Sequence, residues 1–273
     1  MLKKKKESFI AVIILAFFAL CTLLPIYLMI AMSTKDQMSF ITNFWGIQIP
    51  MYVNNYIKAW EVVKIYIYNT LKITFFTVIG VLAVSVLSGY AFAKMKFKGK
   101  EVFYLILLMF QMVPTGLLFI PMFLNVYKMG ISNNHLGVIL PNIGMMSIMP
   151  IMLTRGFFEG IPDSIFESAK IDGAKEYNII FQLVIPLSKP VIGSVSLFTF
   201  FGAFNQFMWP YIVLSDDRLR TVTIGLNRLI GQYGTNFGFQ MAAYAIVCVP
   251  LMILIMMTMK IYVEGVTLGS VKE

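Results

Sequence analysis

One histidine, His135, and two cysteines, Cys21 and Cys248, are all that this 273-residue sequence offers toward metal or thiol chemistry. Both cysteines sit inside long apolar runs and read as buried free thiols. His135 falls in a polar turn, 131–137, and reads as a solvated loop histidine rather than a ligand or proton carrier. No HExxH, CxxC or GxSxG pattern occurs. The only Gly-Lys pair is Gly99-Lys100, and Lys94 stands where a Walker A loop needs its first glycine, so the sequence has no phosphate cradle of that kind. The chain therefore reads as a non-enzyme. Within its apolar runs lie amides and hydroxyls: Asn69, Thr70, Gln111, Thr115, Asn142, Asn205, Gln206 and Gln240. Such groups either join helices or hydrogen-bond a neutral hydroxylated solute. Asn69, Gln111, Asn205 and Gln206 are the candidates for lining a path or meeting a partner chain. Ionisable groups at the centres of the runs would point to ion-coupled transport or a proton relay, and none occurs there.

The elements that carry these residues are membrane helices. The chain is 59% hydrophobic and 13% charged, with a mean hydropathy of +0.80, whereas soluble domains run at about 45–50% and about 25%. A bilayer core of about 30 Å takes roughly 20 helical residues. Six runs meet that need, at about 9–32, 67–93, 102–124, 136–154, 190–211 and 239–260. Their prolines predict kinks, which neighbouring helices satisfy. The first run is too long for a signal peptide and no small-residue cleavage site follows it, so it reads as an uncleaved anchor. With the N-terminus inside, 14 lysines and arginines fall on inner segments and 8 on outer ones, which puts both termini in the cytoplasm. The clusters Lys3–Lys6 and Lys94–Lys100 carry that assignment. The net charge of +9 belongs to these membrane flanks, next to lipid, rather than to a nucleic-acid surface. No internal repeat divides the chain, so residues 1–273 read as one all-α transmembrane domain.

Residues 156–188 form an inner loop with a pattern of its own. Ser164 and Glu167 are spaced as a capping box, and Pro162 and Asp163 also mark a helix start. Ile165, Ala169 and Gly173 recur every four residues, and the small pair would let another surface come close. Gly173 suits a C-cap, and a second apolar helix is predicted at about 174–183, ending before Pro186. The residues alone leave open an amphipathic pair of helices lying on the membrane surface.

The same loop resembles the cytoplasmic E-A-A-x3-G-x9-I-x-L-P loop of permease subunits of binding-protein-dependent ABC importers. Glu167, Ala169, Gly173 and Pro186 are identical to it, while Ser168, Leu183 and Ile185 replace Ala, Ile and Leu. The likeness extends through Tyr68-Asn-Thr-Leu71, Gly89-Tyr-Ala-Phe-Ala-Lys94, Phe97-Lys-Gly99, Pro186-Leu-Ser-Lys-Pro190, Phe204-Asn-Gln-Phe-Met-Trp-Pro210 and the tail Glu264–Lys272. It is similar to the sugar branch, and within it to the smaller permease of maltose-type transporters. Phe204 stands where that family usually has Trp. The resemblance implies a type I ABC importer permease fold with six transmembrane helices, in a bacterial cell membrane, importing a carbohydrate. A non-sugar solute is the alternative within the same architecture; a secondary transporter is the alternative outside it. It further implies a second homologous permease, two ABC ATPase subunits that bind the ATP and Mg, and an extracytoplasmic sugar-binding protein, with no cofactor in this chain. The loop 156–188 would hold the coupling helix, with Glu167, Ser168, Ala169, Asp172, Gly173 and Pro186 meeting an ATPase. The outer cluster Asp216, Asp217, Arg218 and Arg220 would be either a solvated loop or a docking rim for the binding protein.

Overall fold

A computed structural model describes residues 2–232, 234 and 236–268, and the end of the tail motif, 269–272, lies outside them. Among the described residues every regular element is helical. In chain order they are α1 (Leu2–Ser33), α2 (Gln37–Thr42), α3 (Asn54–Lys94), α4 (Lys100–Gln111), α5 (Thr115–Lys128), α6 (His135–Met146), α7 (Ile148–Glu159) and α8 (Asp163–Ile171). Then come α9 (Glu176–Ile179), a π-helical turn (Ile180–Val184), α10 (Ile185–Leu187), α11 (Lys189–Phe204), α12 (Met208–Val213), a 3₁₀ turn (Asp217–Leu219), α13 (Val222–Gln232) and α14 (Phe237–Leu268). The chain divides into two compact units, 1–65 with 225–253, and 66–224 with 254–273.

Three helical stretches, Ile10–Ser33, Asn54–Lys94 and Phe237–Met259, are each long and apolar enough to cross a membrane, and the number is six where each of three bent pairs counts as one span. The bends are 102° between α4 and α5, 44° between α6 and α7, and 81° between the α9–α10 stretch and α11. Each break falls just before a proline, at Pro114, Pro150 and Pro190. A proline has no N–H for the carbonyl four residues back, so the ladder loses a bond across each break. Pro25, Pro121, Pro141 and Pro250 stay inside their helices.

In the first unit Lys35 is fully buried and its ammonium donates to the Asn43 and Phe44 carbonyls, the latter at 2.7 Å. That ties the segment after α1 back on itself, and burial pushes the Lys35 ammonium below the usual lysine range. Asn55 donates to the carbonyls of Ser33 and Lys35, and Gly238 lies where a Cβ would collide with the Lys35 carbonyl and the Asn55 amide. Cys21 is exposed on α1 and Cys248 half-buried, so the reading of two buried thiols fails for Cys21. An all-apolar helix offers its whole circumference to lipid, and an apolar neighbourhood in sequence does not place a side chain inside.

The second unit has two apolar clusters. One gathers Val81, Val86, Tyr90, Phe158, Phe166, Ile179, Val184, Val191 and Val195 beneath the loop that carries α8. The other gathers Ile73, Val126, Val138, Ile139, Trp209, Val213 and Leu214, with Phe119 stacked on Trp209.

Candidate coupling site and the polar residues of the helices

The α8 loop is built from its own chain termination signals. α8 starts at Asp163 after Pro162, one residue ahead of the expected cap, so Ser164 lies inside the helix and no capping box forms. The Ser164 carbonyl instead accepts the Ser168 hydroxyl at 2.9 Å. At the other end Gly173 takes φ +81°. Its N–H bonds Lys170 O at 3.1 Å and the N–H of Ala174 bonds Ala169 O at 2.9 Å, the two bonds of a Schellman ending. No atom lies within 4 Å of where a Gly173 Cβ would be. The glycine is therefore needed for its left-handed backbone, and close approach within this chain plays no part.

The segment after the turn departs from the expected helix. It begins at Glu176, widens into the π-helical turn at Ile180–Val184 and continues through Pro186. Pro186 cannot donate to the Gln182 carbonyl and its ring crowds that group; the wider turn falls at that carbonyl. Pro186 itself is exposed.

α8 is seated on α3 by two side chains one turn apart. Lys94, whose side chain is 9% exposed, donates to Ile161 O and to Asp163 Oδ1, both at 2.6 Å. Its ammonium also lies 5.1 Å from the centre of the Phe166 ring. Tyr90 is buried, donates to Glu176 Oε2 at 2.6 Å and has its ring centre 6.1 Å from that of Phe166. Lys170 pairs with the other Glu176 oxygen at 2.9 Å. Thus α3 grips the loop before and after α8, with Phe166 buried between the two grips. The Tyr90 hydrogen bond, then Lys170, holds the Glu176 carboxyl below the usual carboxylate range. The hydrogen bond from Lys94 does the same for Asp163. A cavity of about 520 Å³ opens between these groups, with Glu167 on its lining.

This seating decides which face α8 shows. Phe166 is buried and Ala169 packs against the apolar cluster, while Ile165 and Gly173, on the same stripe as Ala169, are exposed. The exposed face carries Ser164, Glu167, Ser168 and Ile171, with Asp172 and Gly173 at its end. Ile171 is 86% exposed. Glu167 stands a full turn past the helix start, out of reach of the first N–H donors, and is exposed. Sequence reasoning gave Tyr90, Lys94, Phe166 and Ile171 no role in the α8 loop, although Tyr90 and Lys94 lie in the Gly89–Lys94 motif. The signal for Tyr90 and Lys94 was an aromatic and a lysine four apart at the end of a span.

Within α3, in its N-terminal half, Asn69 is buried and its amide donates to Arg218 O at 2.8 Å and Arg220 O at 3.0 Å. Tyr66 donates to Asp217 at 3.1 Å, and Thr70 accepts the N–H of Val222 at 2.8 Å. Asn133, at φ +52°, accepts the N–H groups of Ser215 and Asp216. His135 is buried, with Nε2 at 2.9 Å from Leu219 O, which corrects its reading as a solvated loop residue: it fastens the 215–222 loop. The cluster pairs internally, Arg218 with Asp216 at 2.8 Å and Arg220 with Asp217 at 3.5 Å. The Arg218 hydrogen bonds hold Asp216 below the carboxylate range.

The four amides proposed for a path are not gathered in one place. Asn205 ends α11, exposed, its amide on Phe201 O. Gln206 accepts from the buried Asn142 at 2.7 Å. Gln111 ends α4 and is exposed. Asn69 holds the loop just described.

Helices long and apolar enough to cross a membrane, three single and three as bent pairs, mark a multi-pass membrane protein. Residues 85–267 match the family described as the binding-protein-dependent transport system inner membrane component, and the chain belongs to that family. It is 29% identical over 265 residues to the arabinooligosaccharides transport system permease protein AraQ of Bacillus subtilis, covering 94% of each chain. It is 32% identical over 205 residues to the galactooligosaccharides transport system permease protein GanQ of the same organism, covering 75% of this chain and 72% of that one. Among solved structures it superposes with a TM-score of 0.84 and 23% identity on a chain of a bacterial ABC transporter involved in the import of the acidic polysaccharide alginate, covering 94% and 97%; this likeness shows the fold.

Proposed function

We propose that this chain is a permease subunit of an ATP-driven importer that admits carbohydrates, and that the exposed face of α8 is its contact with an ATPase. The observation that carries the reading is the double grip of Lys94 and Tyr90 on the α8 loop. A helix held at both ends to a membrane-crossing helix passes a push on one to the other, which is what coupling between two sites requires. Glu167, Ser168, Ile171 and the Gly173 turn form the surface an ATPase groove would take, with Asp172 and Pro186 beside it. A second homologous permease completes the path. Two ATPase subunits supply the ATP and Mg chemistry, and an extracytoplasmic binding protein delivers the sugar, with Asp216, Asp217, Arg218 and Arg220 on the side it would approach. The α8 side is cytoplasmic in a bacterial cell membrane, as are both termini. The names of AraQ and GanQ favour an oligosaccharide as cargo.

The test is made on α8. Ile171→Asp and Glu167→Lys, each expressed with the other subunits, are expected to insert normally and to lose co-purification of the ATPase and uptake of labelled oligosaccharide. Assembly and uptake at the parent level in both variants would show that α8 does not contact the ATPase.

A further inference from the structure

A half-open groove of about 580 Å³ runs between α3 and α6, away from α8. Its walls are one stripe of each helix: Lys72, Phe76, Ile79 and Gly80 from α3, facing His135, Ile139 and Ile143 from α6. The spacings of four, seven and eight put each set on one side of its helix. The lining changes character along its length. Lys72, Asn134 and His135 stand at one end, and only apolar side chains and Gly80 follow. From Lys72 to Gly80 is about 12 Å along the helix at 1.5 Å per residue. A Cβ at Gly80 would run into the Ile143 side chain, so α3 and α6 close on each other there and give the groove a floor.

Lys72 also marks a depth. The 21 residues from Ile73 to Ala93 carry no charge, and at 1.5 Å each they match the ~30 Å hydrocarbon core. Lys72 therefore sits at headgroup level, and the groove stays within one leaflet. His135 is engaged with the Leu219 carbonyl. Lys72 is exposed, no carboxylate is among the lining residues, and among the described residues Lys72 makes no ion pair.

We infer that this groove binds an anionic phospholipid, its phosphate against the Lys72 ammonium and one acyl chain along Phe76, Ile79, Ile139 and Ile143. A slot that is charged only at headgroup level and apolar below it complements such a molecule at both ends. A neutral sugar would leave its hydroxyls unpaired over most of the length. On the orientation proposed above, the lipid comes from the outer leaflet. Nothing else in the inference depends on what the importer carries.

The test uses the full-length chain with its co-purifying subunits in phosphatidylcholine nanodiscs. These hold a small fraction of phosphatidylglycerol bearing a diazirine midway along one acyl chain. After photolysis, label on peptides holding Ile79, Ile139 and Ile143 is compared with label on α1, whose Leu15 and Leu20 are exposed. The expected result is enrichment in the groove. It should fall about fivefold in Lys72→Gln or with a phosphatidylcholine probe, the change that ~1 kcal/mol per surface lysine gives. Lys72→Arg should restore it while α1 label is unchanged. Groove label no greater than α1 label would overturn the inference and leave the groove to the second permease. Equal labelling by the two probes, or an unchanged Lys72→Gln, would overturn it as well. Sugar uptake is measured separately, so failure of the importer reading and failure of the lipid site give different results.

Discussion

Replacing Lys94 with Met tests the grip that places α8. The methionine keeps most of the buried stem, so packing on Phe166 is largely retained and the ammonium is what is lost. That ammonium makes a charge-assisted bond to Ile161 O at 2.6 Å, for which such bonds are worth about 1.5–3 kcal/mol. Its position 5.1 Å from the Phe166 ring adds about 0.5–2 kcal/mol. The bond to Asp163 adds little, because that carboxylate is exposed and water screens it. Relief from burying an ammonium offsets part of the sum. The net loss is therefore about 2 kcal/mol, a change of roughly 30-fold in the seated population of α8. Hydrogen–deuterium exchange on the purified complex reads this directly: amides at 161–174 should exchange roughly 30-fold faster, while those of α6 are unchanged. Transport should fall, with ATP hydrolysis no longer responsive to the binding protein. Asp163→Asn should leave exchange within about twofold of the parent. Exchange unchanged in Lys94→Met, or an equal effect in Asp163→Asn, would refute the argument, since the first removes the carbonyl and ring contacts and the second does not.

Gly173→Ala should destabilise the α8 turn by about 1–2 kcal/mol through the left-handed backbone alone, and Gly173→Asn by less; because no atom crowds the position, an equal loss in both, read by exchange at 169–175, would contradict a purely conformational role. Asn69→Leu leaves the Arg218 and Arg220 carbonyls without their donor, at about 1–3 kcal/mol for a buried polar group. Faster proteolysis within 215–222 and a lower melting temperature in detergent are expected, and a parent-like protease profile would count against the anchor. Glu176 has a lowered pKa, so the stability it contributes is present above its ordinary value of 4.5 and is lost as pH falls through the folded value below that. Protection of α8 and α9 should thus be flat from neutral pH to about 5 and fall beneath it, and Glu176→Gln should remove that fall; a decline already complete at pH 6 would assign the titration to another group.

The class of protein was legible without coordinates because its determinants are local or periodic. Apolar runs of about 20 residues, lysine clusters at their ends and seven spaced positions in one loop need no tertiary contact to be recognised. Gly173 shows the same thing at the scale of one residue, since a left-handed helix ending selects glycine from sequence-local sterics. The proline breaks were foreseeable in kind, while the angles, from 44° to 102°, were not: the amount of bending depends on what packs into the gap. Tertiary structure alone decided which way each side chain faces. Cys21 and Cys248 sit in equally apolar runs, yet one is exposed and the other half-buried, because burial depends on the helix opposite. His135 was read from its polar neighbours as solvated, yet the 215–222 loop, some 80 residues away in the chain, covers it and supplies its hydrogen-bond acceptor. α8 buries Phe166 and presents Glu167 and Ile171 because Tyr90 and Lys94, distant in sequence, grip the loop around that ring. Contacts between residues far apart in the chain leave no periodic trace in the sequence, so the orientation of the site waited on the fold.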